Sequence, residues 1–188
     1  MSQPIVVIIP GIGDHTPSYD VFAWVWRRLG YETHIIPFGW TRYYADIATH
    51  TRDFMHKHKL DAVAGKDDVY LIGVSAGGTA AVHAFANRQS VRKVITVSSP
   101  FEDADNLEHR LLVDSIIAVR RDLEQLDAAE KANILSVYGI FDRIVPTYMS
   151  RPEGVRTKRI FAFGHAPIIF MALTFHGLRL KRFFSKKR

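Results

Sequence analysis

The chain has no cysteine among its 188 residues. That absence excludes disulfides, thiolate zinc sites, iron–sulfur clusters and a cysteine nucleophile together. It suits a reducing compartment without requiring one. No run of 18 or more apolar residues occurs, so no membrane-spanning helix is expected. The start, MSQPIVVIIPGIGD, lacks a basic segment and carries only five consecutive apolar residues before a Pro-Gly break. It does not read as a secretory signal, and a cytoplasmic location is the expectation. Internal repeats and low-complexity linkers are also missing, so residues 1–188 read as one domain.

Acidic residues are missing from one end. None follows Glu153, whereas nine of the 25 Lys and Arg do. The formal net charge of +6 therefore belongs to the C-terminal part, and the body is slightly acidic. A nucleic-acid binder would carry its basicity on a reader motif or along a face, so no nucleic-acid partner is expected. The tail over 179–188 follows an apolar helical stretch and is a candidate contact for an anionic membrane surface. A solvated tail that keeps the chain soluble is the simpler reading.

What is present is a regular alternation. Ile5–Ile9 is a β-branched run ended by Pro-Gly and reads as a buried strand. Further strands are expected at 33–38, 67–74, Val91–Val97, 134–141 and 156–163. Helices are expected at 18–29, 41–60, 76–87, 106–126 and 167–184, the first entered through Thr16-Pro17 and ended by Gly30. Strands that alternate with helices and read as continuous apolar runs indicate an α/β fold. The expectation is a doubly wound, mostly parallel six-stranded sheet with helices on both faces. Ligands in such sheets sit beyond the C-terminal strand ends, so the residues there carry the functional question.

Four strand ends are informative. After the third strand comes Gly73-Val74-Ser75-Ala76-Gly77, a G-x-S-x-G followed at once by an Ala-rich helix. Small neighbours relieve crowding at a sharp strand-to-helix turn, the Ser75 hydroxyl projects, and the helix start offers free N–H groups. After the fifth strand, GIFDRIVP places Asp142 where a carboxylate can hold an imidazole. After the sixth, FGHAP places His165 just before the last helix. After the first, PGIGD is a loop whose Ile12 N–H, with that of Ala76, could receive an oxyanion. The order Ser75, Asp142, His165 is nucleophile, acid, base.

These motifs, in this order, resemble the α/β-hydrolase superfamily, in its small single-domain serine esterase or lipase form. PGIG stands where the family has its H-G-x-G oxyanion loop, GVSAGG at its nucleophile elbow, GIFDRIVP at its acid loop and GHAP at its histidine loop. Pro10 replaces the family's usual histidine, its first two strands have no counterpart here, and its cap insertion is reduced to 98–133. The resemblance implies a serine hydrolase that cleaves carboxylic esters or thioesters through an acyl-enzyme, with Ser75, Asp142 and His165 catalytic, Ile12 and Ala76 forming the oxyanion hole, and no cofactor. A hydrolase-fold binding protein without turnover is the alternative.

Other candidates are weaker. Phe38, Trp40 and Phe101 follow strands and Ile144 lies in the acid loop, so they could wall an apolar substrate pocket or simply pack the core. His50, His56 and His58 share one expected helix, but spacings of six and eight do not converge, and no metal site is expected. His83, His109 and His176 read as helix residues and His15 as a solvated loop residue.

Overall fold

The computed structural model describes residues 3–41, 46–58, 69–87, 90–102 and 110–185. Six strands form one parallel sheet: β1 (Ile5–Ile9), β2 (Glu32–Ile35), β3 (Val69–Val74), β4 (Val91–Val97), β5 (Ile134–Tyr138) and β6 (Arg156–Arg159). Their order is β2-β1-β3-β4-β5-β6. The chain winds outward from β1 to β2, then reverses and builds β3 to β6 on the other side. The reversal falls between β1 and β3, in register from Ile5↔Val69 to Ile9↔Gly73. In open parallel sheets such a switch point opens a crevice at the strand ends.

Every residue of β1 and β3 is buried, which explains why neither strand alternates. Alternate side chains serve two separate cores. Val6, Ile8 and Ile72 pack beneath α1 (Asp20–Arg28), α6 (His165–Leu173) and α7 (Gly177–Ser185). Val7, Ile9 and Leu71 pack beneath α2 (Ile47–Lys57), α3 (Gly77–Asn87) and α4 (Arg110–Gln125). The sheet is thus covered on both faces, as the sequence pattern implied. The edge strand β6 is mostly exposed and carries Arg156, Lys158 and Arg159.

Several boundaries differ from the expectation. The first helix opens with a 3₁₀ turn, Pro17–Tyr19, and the Thr16 side chain makes no capping bond. The second is capped by Asp46, which accepts from the Thr49 N–H at 2.7 Å. A short helix, α5 (Ala128–Lys131), was not anticipated, although its Asp127–Glu130 capping box is visible in the sequence. The last expected helix is two. α6 ends at Thr174, whose hydroxyl bonds the Phe170 carbonyl, and α7 begins at Gly177. A side chain at Gly177 would stand 3.1 Å from Leu29 Cδ1, so glycine there lets α7 settle against α1. The expected starts and ends at 42–45, 59–60, 67–68 and 106–109, with His109 and the tail residues 186–188, lie outside the described residues.

Candidate active site

Ser75 stands between β3 and α3 with φ +53°, a left-handed conformation that a serine adopts only under constraint. The constraint is visible. The Ser75 N–H donates to Val97 O at 2.9 Å, and its carbonyl accepts from Gly78 at 2.9 Å. The following helix is pressed onto β1: a Cβ on Gly77 would fall 2.2 Å from Ile9 O. Any larger residue there would push α3 off the sheet and open the turn.

The loop after β1 touches this turn, since a Cβ on Gly11 would stand 2.9 Å from Ser75 Cβ and 3.3 Å from its Oγ. Gly11 O accepts from Asp14 N–H at 3.1 Å, closing a tight turn with Gly13 and Asp14 both at positive φ. Neither Ile12 N–H nor Ala76 N–H donates a hydrogen bond among the described residues. Two backbone donors thus stay unclaimed, one in the loop after β1 and one directly after Ser75. Tyr19 also reaches Gly11; burial pushes its phenol up to about 12, with the Gly11 backbone pulling in the other direction. It therefore remains a neutral hydroxyl at ordinary pH.

The support that Pro10 cannot give as a side chain comes from Asp14 and Trp40. The Asp14 carboxylate accepts three backbone N–H groups at 2.9 Å each, from Phe38, Gly39 and Trp40. Trp40 Nε1 donates to Pro10 O at 3.2 Å. The loops after β1 and β2 are therefore laced together. Asp14 belongs to none of the four motifs, and its one signal in the sequence is an acid directly after a glycine in a tight turn.

Asp142 and His165 meet. His165 Nδ1 lies 2.8 Å from Asp142 Oδ2. The Asp142 side chain is 1% exposed and that of His165 13%. The other carboxylate oxygen, Oδ1, accepts from Ile144 N–H at 2.9 Å and Val145 N–H at 3.1 Å. The acid is thus fixed by its own turn and spends one oxygen on the imidazole. The two loops are also tied by backbone, Gly164 N–H to Phe141 O at 2.7 Å and Ile140 N–H to Ala162 O at 2.8 Å. His165 opens α6, which fixes its backbone. With Nδ1 engaged by the acid, Nε2 is the nitrogen left for a substrate-side partner. Ser75 Oγ has no hydrogen-bond partner among the described residues, His165 included.

Of the expected pocket walls, Phe38 borders a cavity of about 560 Å³ together with Asp14, His50 and Phe54. Phe38, Trp40 and Phe101 are 3%, 1% and 1% exposed and belong to the core under α2–α4. Phe38 packs on Trp40, Phe54 and His50, with ring centroids 4.8, 5.3 and 4.3 Å apart. Phe38 and Trp40 hold the loop after β2 in place. Ile144 is 71% exposed, and Ile12 and Phe163, in the loops after β1 and β6, are exposed as well. Among the described residues no cluster of three metal-ligating side chains occurs.

No family model and no curated protein matches the chain. Solved structures do. A monoacylglycerol lipase from Paleococcus ferrophilus is 14% identical, with a TM-score of 0.69, and the match covers 98% of this chain and 96% of that one. The esterase domain of a Rhodothermus marinus protein is 13% identical, with a TM-score of 0.67, covering 96% and 88%. MGS-MChE2, an α/β-hydrolase enzyme from the metagenome of Mar Chica lagoon sediments in Morocco, is 17% identical, with a TM-score of 0.60, covering 96% and 92%. The six-stranded sheet, its switch point and the loops at its strand ends make this an α/β-hydrolase fold.

Proposed function

We propose that the chain is a serine hydrolase of carboxylic esters or thioesters, with Ser75 as nucleophile, His165 as general base and acid, and Asp142 as the group that orients His165. The observation that carries this reading is the buried Asp142 carboxylate, saturated by two N–H groups on one oxygen and bonded to His165 Nδ1 by the other. The strained Ser75 turn supports it, as do the lipase and esterase among the chain's structural neighbours.

In the proposed reaction Ser75 Oγ attacks the acyl carbon while its proton passes to His165 Nε2. The carbonyl oxygen takes the negative charge and accepts from Ile12 N–H and Ala76 N–H. Collapse expels the alcohol or thiol, which takes the proton from His165. Water, deprotonated by His165, then releases the acid and restores Ser75. Pre-placed donors are worth about 3 kcal/mol each in comparable sites, because they stabilise charge that exists only in the transition state. Ile12, Ile144 and Phe163 supply the apolar mouth.

Fluorophosphonate labelling tests the reading, alongside hydrolysis of p-nitrophenyl esters of increasing chain length. Wild type will label and turn over, and Ser75→Ala will do neither. A folded wild type that neither labels nor hydrolyses would transfer the case to a binding protein on this fold.

Asp14 has a distinct expected effect. Asp14→Ala frees three N–H groups and releases the oxyanion loop from the loop after β2. We expect kcat to fall about 10- to 100-fold with KM nearly unchanged, because the donors act on the transition state. Equal loss in kcat and gain in KM would assign Asp14 to substrate binding instead.

A further inference from the structure

The helices α1, α6 and α7 cover one face of the sheet, and their outer surface joins large apolar side chains to a cluster of cations. Five outward side chains on these helices and on the turn between α6 and α7 are large and apolar: Val21, Trp24, Phe170, Phe175 and Leu178, exposed by 41% to 71%. The helices are neighbours. Phe22 meets Phe170 with centroids 6.2 Å apart, Gly177 lies against Leu29 and Val25, and Lys181 Nζ donates to Leu29 O at 2.7 Å. Phe170 in turn meets Phe175, centroids 6.1 Å apart.

The charge on this layer is predominantly positive. Asp20 is the sole acid in α1, α6 and α7, against Arg27, Arg28, Arg179, Lys181 and Arg182. Arg28 lies over the Trp24 ring at 5.2 Å. At the α6–α7 corner, Lys158 of β6 joins Arg179 and His176. Burial first, and then the charge of Arg179, lowers the Lys158 ammonium, and the same two cations act on His176 after its own burial. Neither Lys158, Arg179 nor Arg182 has an ion-pair partner among the described residues. The opposite layer, by contrast, carries Asp114, Asp122 and Glu124 on α4 alone.

We infer that the outer face of α1, α6 and α7 docks on an anionic lipid surface, with Trp24, Phe175 and Leu178 entering the headgroup region and Arg28, Arg179 and Arg182 meeting the phosphates. Charge complementarity selects this occupant. A second copy of the chain using the same patch would set Arg28, Arg179 and Arg182 against their own likeness. A nucleic-acid strand would use the cations and leave Val21 and Leu178 in water. A lipid surface uses both sets: an indole at the interface, aliphatic side chains just below it and cations at the phosphate level. The contact is with helices of the folded body and is independent of catalysis.

Trp24 is a built-in reporter, because Trp26 and Trp40 are buried at 0% and 1% exposure. With vesicles of phosphatidylcholine containing about one-third phosphatidylglycerol, the emission will shift to the blue and the chain will sediment with the lipid. Pure phosphatidylcholine will bind at least about tenfold more weakly, and added salt will release the chain. Arg179→Glu with Arg182→Glu, and separately Trp24→Ser with Leu178→Ser, will each weaken binding about tenfold or more while circular dichroism stays unchanged. No vesicle binding, or equal binding to both vesicle types, would overturn the inference. So would a loss confined to the charge-reversed variant together with tight binding of single-stranded RNA, which would mean a plain polyanion surface. Loss on deleting 186–188, with both helix variants binding like wild type, would move the contact to the tail and overturn it too.

Discussion

Asp142→Asn will fold like the wild type and lose about 10⁴-fold in kcat. The geometry separates the two outcomes. The Asn carbonyl can occupy the Oδ1 position and keep both Ile144 and Val145 N–H bonds, so the acid turn holds its shape. The amide nitrogen then takes the Oδ2 position, 2.8 Å from His165 Nδ1. Two donors cannot share that contact, so the imidazole must present a bare Nδ1 and carry its proton on Nε2. That tautomer cannot accept the Ser75 proton. Stopped-flow hydrolysis of a p-nitrophenyl ester, with melting curves in parallel, reads both effects. A variant with an unchanged melting point and less than about a tenfold loss would remove Asp142 from the mechanism.

The second large effect lies away from the site. His83→Ala will destabilise the chain by about 3 kcal/mol, lowering Tm by about 6–12 °C. His83 Nδ1 lies 2.5 Å from Asp122 Oδ2 in the seam between α3 and α4, with side chains only 7% and 13% exposed. Asn87 donates to the other Asp122 oxygen at 3.3 Å, and Thr79 bonds Ser115 one turn earlier in the same seam. Removing the imidazole leaves a largely buried carboxylate with one weak donor, and that orphaned group sets the cost. His83→Leu with Asp122→Leu will recover most of the loss, because an apolar pair fills the gap without stranding a charge. A double variant no better than the single would mean that the two side chains contribute separately, without coupling.

These two pairs show what a sequence discloses and what it withholds. Asp142 and His165 are 23 residues apart, but both sit at predictable strand ends with family-like neighbours, so their meeting could be expected. His83 and Asp122 are 39 apart on different helices, and nothing local marks either one. Only the packing of α3 on α4 makes them partners. The same limit explains Phe38, Trp40 and Phe101. An aromatic just after a strand can face a pocket or the core, and burial is decided by which elements pack over it. The break at Thr174–His176 was legible in principle, since Gly177 interrupts an apolar helical run. The apolar periodicity on both sides hid it.

The left-handed turn at Ser75 has an evolutionary edge. Glycine takes φ +53° without steric strain, whereas serine gives up about 1 kcal/mol or more to hold it, a difference that glycine's larger entropy loss on folding only partly offsets. Ser75→Gly should therefore raise the melting temperature of a chain that no longer labels. A library randomised at this position and screened only for heat resistance would enrich the dead variant. Thermal selection on this scaffold has to be coupled to turnover, or it will discard the proposed nucleophile first.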